Sequence, residues 1–135
     1  MITTLGELIY EAMGKMTGTR VLDEDGTMEN TLQEQGTILG TECSATLTMV
    51  GTPRPDGTVY SEGYGLMLTK DGDAATLTSS AISIPKGPMP VSSVRGATFF
   101  RTQSSKLSRL NSVVCIYEVE VNEDGNYNVK DWEWK

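Results

Sequence analysis

The sequence predicts an all-β fold: an eight-stranded antiparallel up-and-down β-barrel with a short N-terminal α-helix. Four Asp-Gly pairs, Asp25-Gly26, Asp56-Gly57, Asp71-Gly72 and Asp124-Gly125, each stand between stretches rich in Thr, Val, Tyr, Ile and Leu. Asp-Gly tolerates the positive φ of a hairpin turn, so each pair reads as a chain reversal. From Lys15 onward the apolar residues alternate with polar ones. The alternation is clearest where Val113, Cys115, Tyr117, Val119 and Val121 share one face and Ser112, Glu118 and Glu120 the other. A chain that doubles back this often either exposes sticky edges or closes its sheet, and closure removes the edges.

The elements follow in chain order. Ile2, Leu5, Leu8, Ile9, Ala12, Met13 and Met16 recur at three- and four-residue intervals, which predicts an amphipathic helix over residues 1–14. Thr3 or Thr4 with Glu7 makes a capping pair, and Gly14 a stop. So short a helix is marginal alone, and its apolar stripe must rest on the barrel. Strands are expected over about 15–23, 27–35, 38–51, 58–70, 73–84, 91–103, 110–122 and 126–134. The Asp-Gly pairs make the first, third, fourth and seventh reversals. The second falls near Gly36, the fifth crosses Pro85 to Pro90, and the sixth crosses Ser104 to Arg109.

In such a meander the odd-numbered turns share one end of the barrel. The helix enters from the other end and would plug it, leaving any mouth beside the proline-bearing loops, Gly51 to Gly57 and Pro85 to Pro90. The last strand carries Trp132 and Trp134 on one face and Tyr127 and Val129 on the other. So heavy an apolar load predicts a docked strand that closes the barrel on the first.

At 135 residues the chain is expected to form one domain, residues 1–135, with one hydrophobic core. A formal net charge of −7 argues against nucleic acid or an anionic membrane as partner, since both would repel it. The chain has no histidine, which removes the commonest general base and metal ligand and excludes Ser-His-Asp or Cys-His catalysis within one chain. Cys43 and Cys115, far apart in apolar strand patterns, read as small buried hydrophobes and cannot build a zinc site. No metal and no cofactor is expected. The start of the chain lacks a signal-peptide pattern, and no stretch approaches the roughly 18 apolar residues of a membrane span. A cytoplasmic location is the expectation.

No catalytic motif stands out, so candidate site residues rest on strand alternation. Tyr60, Glu62 and Tyr64 share one face of the fourth strand, opposite Ser61, Gly63 and Gly65. Turned inward, two phenols and a carboxylate would form a polar patch in the barrel wall, and desolvation would raise the carboxyl pKa. Turned outward, they leave the glycines inside, where the strand can bend. Arg20 shares a face with Met16 and Leu22 in the first strand. Inward, it would neutralise a ligand carboxylate or pair with a core carboxylate such as Glu34; outward, it would lie in solvent. Arg95, Phe99 and Arg101 alternate as on a solvated sheet face. Gly63 and Gly65 precede no helix and form no phosphate loop. Val114 and Ile116 would face outward together, as a subunit contact of a homo-oligomer or a resting place for the helix.

The meander, with Gly63-Tyr64-Gly65 following Asp56-Gly57, resembles a group of uncharacterised microbial eight-stranded barrels of the allene-oxide-cyclase and calycin type. The resemblance spans about residues 15–135. The lipocalin Gly-x-Trp signature is absent, because Gly18-Thr19-Arg20 stands in its place. The resemblance implies a small apolar molecule bound inside and, for the cyclase type, an oligomer; it carries over no catalytic residue.

Three functions follow in order of preference. The first is binding of a small, largely apolar molecule inside the barrel, with Arg20, Tyr60, Glu62 and Tyr64 as candidate contacts. The second is a cyclase- or isomerase-type enzyme working in a dry pocket. The third is a structural, oligomer-forming module with a filled barrel.

Overall fold

The computed structural model describes residues 4–135. All four Asp-Gly glycines take positive φ, between 78° and 91°. At Asp56-Gly57 the Arg54 N–H donates to the Thr58 carbonyl at 2.8 Å and the Gly57 N–H to the Arg54 carbonyl at 2.9 Å. The same pair of bonds recurs over 69–73 and 122–126. This is a tight turn followed by a left-handed residue, the geometry in which glycine has no steric cost. The second reversal is a two-residue turn at Leu39-Gly40, with φ 49° and 83°, closed by the paired Ile38 and Thr41. It lies three positions beyond Gly36, which sits inside a strand.

Eight strands result: β1 Leu5–Val21, β2 Met28–Ile38, β3 Thr41–Pro53, β4 Val59–Thr69, β5 Ala74–Pro85, β6 Ser92–Arg101, β7 Val114–Val121 and β8 Asn126–Trp134. Each pairs antiparallel with the next, and β1 pairs with β8 to close the barrel. The barrel is the expected one. The N-terminal helix is not: Met1 to Thr3 lie outside the described residues, and from Leu5 onward the segment is strand.

The reason lies in the register of β1. Against β8, Leu5 faces Trp134, Leu8 faces Trp132 and Tyr10 faces Asp131, so β1 carries one extra residue at each step. Each bulge flips the alternation. Ile9 and Tyr10 are therefore both buried, and the apolar positions fall at mixed intervals that imitate a helical stripe. A third bulge separates Met16, opposite Leu32, from Gly18, opposite Thr31.

The core occupies the half of the barrel nearer the even-numbered turns. Ile9, Ile38, Met67, Leu107, Leu110 and Cys115 are the large side chains most completely buried there. Leu107 and Leu110 come from the β6–β7 connection, which includes a short 3-10 helix, Ser108–Ser112. This connection straddles the barrel end. On one side Lys106 pairs with Asp71, and Ser104 Oγ donates to Asp73 Oδ1 at 2.8 Å. On the other, Arg109 bridges Glu7 at 2.7 Å and Glu133 at 3.2 Å. The stopper expected of an N-terminal helix is thus supplied by the sixth connection.

No helix among the described residues is long and apolar enough to cross a membrane. Cys43 and Cys115 are free and buried, and burial pushes their thiols up to about 11 and about 12.

Where strands of so small a barrel bend sharply, inner faces come too close for a side chain. A Cβ on Gly36 would run into the backbone of Glu11 and Ala12, whereas one on Gly18 would meet nothing within 4 Å. Gly36→Ala is therefore expected to destabilise the protein by about 1–3 kcal/mol, and Gly18→Ala by less than about 0.5 kcal/mol. Urea unfolding of both variants checks this; equal midpoints would refute the close approach.

Candidate functional site

Above the packed half, the barrel encloses a cavity of about 220 Å³. Its walls are the inward positions Leu32, Leu47, Met49, Leu77, Val94 and Val119, placed there by strict alternation along β2, β3, β5, β6 and β7. Its rim is built by Gly26, Pro53, Pro85, Met89, Pro90 and Val91, at the first, third and fifth turns. The cavity thus reaches the odd-numbered turns, beside the proline loops, and is sealed at the other end by Leu107 and Leu110.

The floor is polar. Glu34 from β2 is 6% exposed and held from two sides. Tyr10 Oη donates to its Oε1 at 2.8 Å and Tyr127 Oη to its Oε2 at 2.6 Å. Burial raises the Glu34 pKa, and the two phenol donors oppose that rise by favouring the anion. Both phenols are in turn pushed far up, first by burial and then by the neighbouring carboxylate. Tyr117 and Ser79 share a hydrogen bond of 2.8 Å, and burial lifts the Tyr117 phenol to about 12.

Two of these rings owe their positions to glycine. Tyr127 faces Gly14 across β8 and β1, and Tyr117 faces Gly96 across β7 and β6. A Cβ on either glycine would overlap the ring that covers it. The missing side chains let the tyrosines lie down along the wall and carry their hydroxyls to the floor.

Asp131 from β8 completes the floor. It is 2% exposed, and its Oδ1 has no hydrogen-bond partner among the described residues. Burial, and then the charge of Glu34, pushes its pKa up to about 7; the Thr98 hydroxyl pulls the other way. A buried acceptor without a donor is rare and costly in folded proteins. Asp131 itself is one of the residues that line the cavity.

The residues nominated from sequence lie elsewhere. Tyr60, Glu62 and Tyr64 project from the outer face of β4, where Tyr60 Oη donates to Glu62 Oε2 at 2.9 Å and Tyr64 is 70% exposed. The inward positions of that strand are Ser61, Gly63 and Gly65, so the inward arrangement does not occur. Arg20 is also outside. The bulge after Met16 reverses the phase of β1, pairing Arg20 with Glu29 and placing a 3.3 Å ion pair in solvent. Glu34 is a core carboxylate, but its partners are tyrosines rather than Arg20.

Sequence reasoning missed Asp131, Tyr10, Tyr117 and Tyr127 as a set. One signal was present: Asp131 stands in step with Tyr127 and Val129, the face of β8 opposite Trp132 and Trp134. Among the described residues no group of three or more His, Cys, Asp or Glu could hold a metal ion.

No family model matches the chain, and no curated protein matches it. Solved structures do. A protein of unknown function from Clostridium acetobutylicum superimposes with a TM-score of 0.80 at 13% identity, covering 99% of each chain. A β-barrel-like protein from Acinetobacter baumannii gives 0.71 at 15%, covering 99% of this chain and 97% of that one. An enzyme from Penicillium herquei gives 0.66 at 20%, covering 97% and 95%. At these identities the likeness establishes the β-barrel fold alone.

Proposed function

We propose that the protein binds a small, largely apolar molecule inside the barrel, entering between the proline loops and the first turn. The observation that carries this reading is a cavity with apolar walls, stoppered at one end and polar at its floor. Such a shape strips a hydrocarbon body of water, at about 25 cal/mol for each Å² of apolar surface removed, while the floor fixes which end goes in first. At about 220 Å³ the space is small beside drug-sized pockets, so the ligand is compact.

A second reading is favoured by Asp131. A buried carboxyl poised near neutrality, with one oxygen unpaired on a residue that lines the cavity, suits general acid–base work of the isomerase or cyclase kind. The fold likeness to an enzyme from Penicillium herquei is compatible with it. In that reading Asp131 takes a proton from one position of a bound molecule and returns it to another, so neither an oxidant nor a second substrate is required.

Two expected outcomes follow. Native mass spectrometry of protein purified from its own host should show a retained small molecule, and Ser83→Trp should lose it while keeping the wild-type circular dichroism spectrum. Ser83 lines the cavity next to the rim residue Pro85 and is half-buried, so an indole there obstructs entry without entering the core. A variant that retained the same molecule would place the binding site outside the barrel.

The second outcome concerns pH. The Asp131 carboxyl rises from 3.8 to about 7 on folding. Between those values the folded chain holds a proton that the unfolded chain has released. Stability is therefore greatest below about pH 4 as far as this group is concerned, and declines as pH rises through about 7, by up to about 4 kcal/mol. Asp131→Asn keeps the shape without the ionisation. Its melting temperature should exceed that of the wild type by about 5–10 °C near pH 8 and approach it near pH 4. A constant difference across that range would show that Asp131 does not titrate as described.

A further inference from the structure

We propose that the occupant of the barrel is an apolar amine, bound as its ammonium ion with the nitrogen donating to Asp131 Oδ1. This rests on the ligand-binding reading and adds the chemical class of the ligand.

The argument is one of donors, acceptors and charge at the cavity floor. Glu34 has both oxygens occupied, by Tyr10 and by Tyr127. Ser79 and Tyr117 are bonded to each other. The buried acceptor left without a partner among the described residues is Asp131 Oδ1, on a residue that lines the cavity. An acceptor requires a donor, so the polar end of the ligand must carry N–H or O–H.

Charge narrows the choice. Two carboxyl groups line the cavity, none of its lining residues is Lys or Arg, and the chain has no histidine. A ligand carboxylate would enter a desolvated space beside like charges, with no cation to compensate it. A neutral alcohol would satisfy the open acceptor but leave the negative charge of the floor uncompensated. An ammonium group does both: it donates to Oδ1 and neutralises a buried carboxylate, and charge-assisted bonds of this kind are about twice as strong as neutral ones. The net charge of −7 also draws cations toward the protein before they reach the mouth. The walls, built of Leu, Met and Val, take the hydrocarbon remainder.

A matched series on one frame tests this by isothermal titration calorimetry: naphthylmethylamine, naphthylmethanol and naphthoate. The amine is expected to bind at least about tenfold more tightly than the alcohol, and naphthoate to bind weakest. Asp131→Asn should weaken the amine by about 10–100-fold and change the alcohol by less than about threefold. The series in the unaltered protein stands whether or not the variant folds. Naphthoate binding as tightly as the amine, an alcohol as tight as the amine, or an amine preference that survives Asp131→Asn each overturns the amine assignment and leaves the binding reading intact. Failure of all three probes to bind, with no molecule retained from the host, overturns both.

Discussion

The pairing of β1 with β8 is the constraint on which the rest depends. An eight-strand meander has two edges, and joining them turns an open sheet into a cylinder with an inside. Closure makes its demand on β1, which joins β2 along one edge and the last strand, β8, along the other while the wall curves. Its bulges absorb that demand. They also decide what faces inward: the bulge at Ile9 turns Tyr10 toward Glu34, and the bulge after Met16 turns Arg20 away from the cavity and toward Glu29. The chemistry of the interior is thus partly set by where one strand carries an extra residue.

That interior divides into a filled half and a hollow half. Leu107 and Leu110 enter from the β6–β7 connection and pack with Ile9, Ile38 and Met67. Among the described residues nothing equivalent comes from the odd-numbered end, where proline-bearing loops build the rim. Between the halves lies the layer of Glu34, Asp131 and the tyrosines. Placing two carboxyl groups there is unfavourable for folding, since each loses its hydration. Glu34 is compensated internally by two phenols, those of Tyr10 and Tyr127. Asp131 has the Thr98 hydroxyl but no partner for Oδ1, and that difference distinguishes the two carboxyls.

The sequence made the fold legible because its signals were local. Asp-Gly at four reversals and alternation within β7 each require only a few neighbouring residues to be read. The site was less legible because inward phase is a collective property. In β4 the alternation was visible, but choosing between Tyr60, Glu62 and Tyr64 inside and Ser61, Gly63 and Gly65 inside needed the curvature that forces glycines inward: a Cβ on Gly63 would meet the backbone of Thr48 and Met49. In β1 the period itself was broken by bulges, and a broken two-residue period is close to a helical one. For β8 the answer was within reach, since Asp131 falls in step with Tyr127 and Val129. What alternation could not say is that no hydroxyl would be spared for Oδ1.

The open acceptor on Asp131 has a physical consequence for how binding and folding are coupled. An unfilled barrel retains a buried carboxyl that is either charged with one oxygen unpaired or protonated near neutrality, and both states are less stable than a fully paired one. Any molecule that donates to Oδ1 relieves this penalty and removes water from the walls in the same step. On the proposed binding reading, ligand binding and stability are linked through a single oxygen, and a substitution that makes the empty protein more stable there also removes the group proposed to recognise the ligand. On that reading, folding stability is traded for recognition at one buried group.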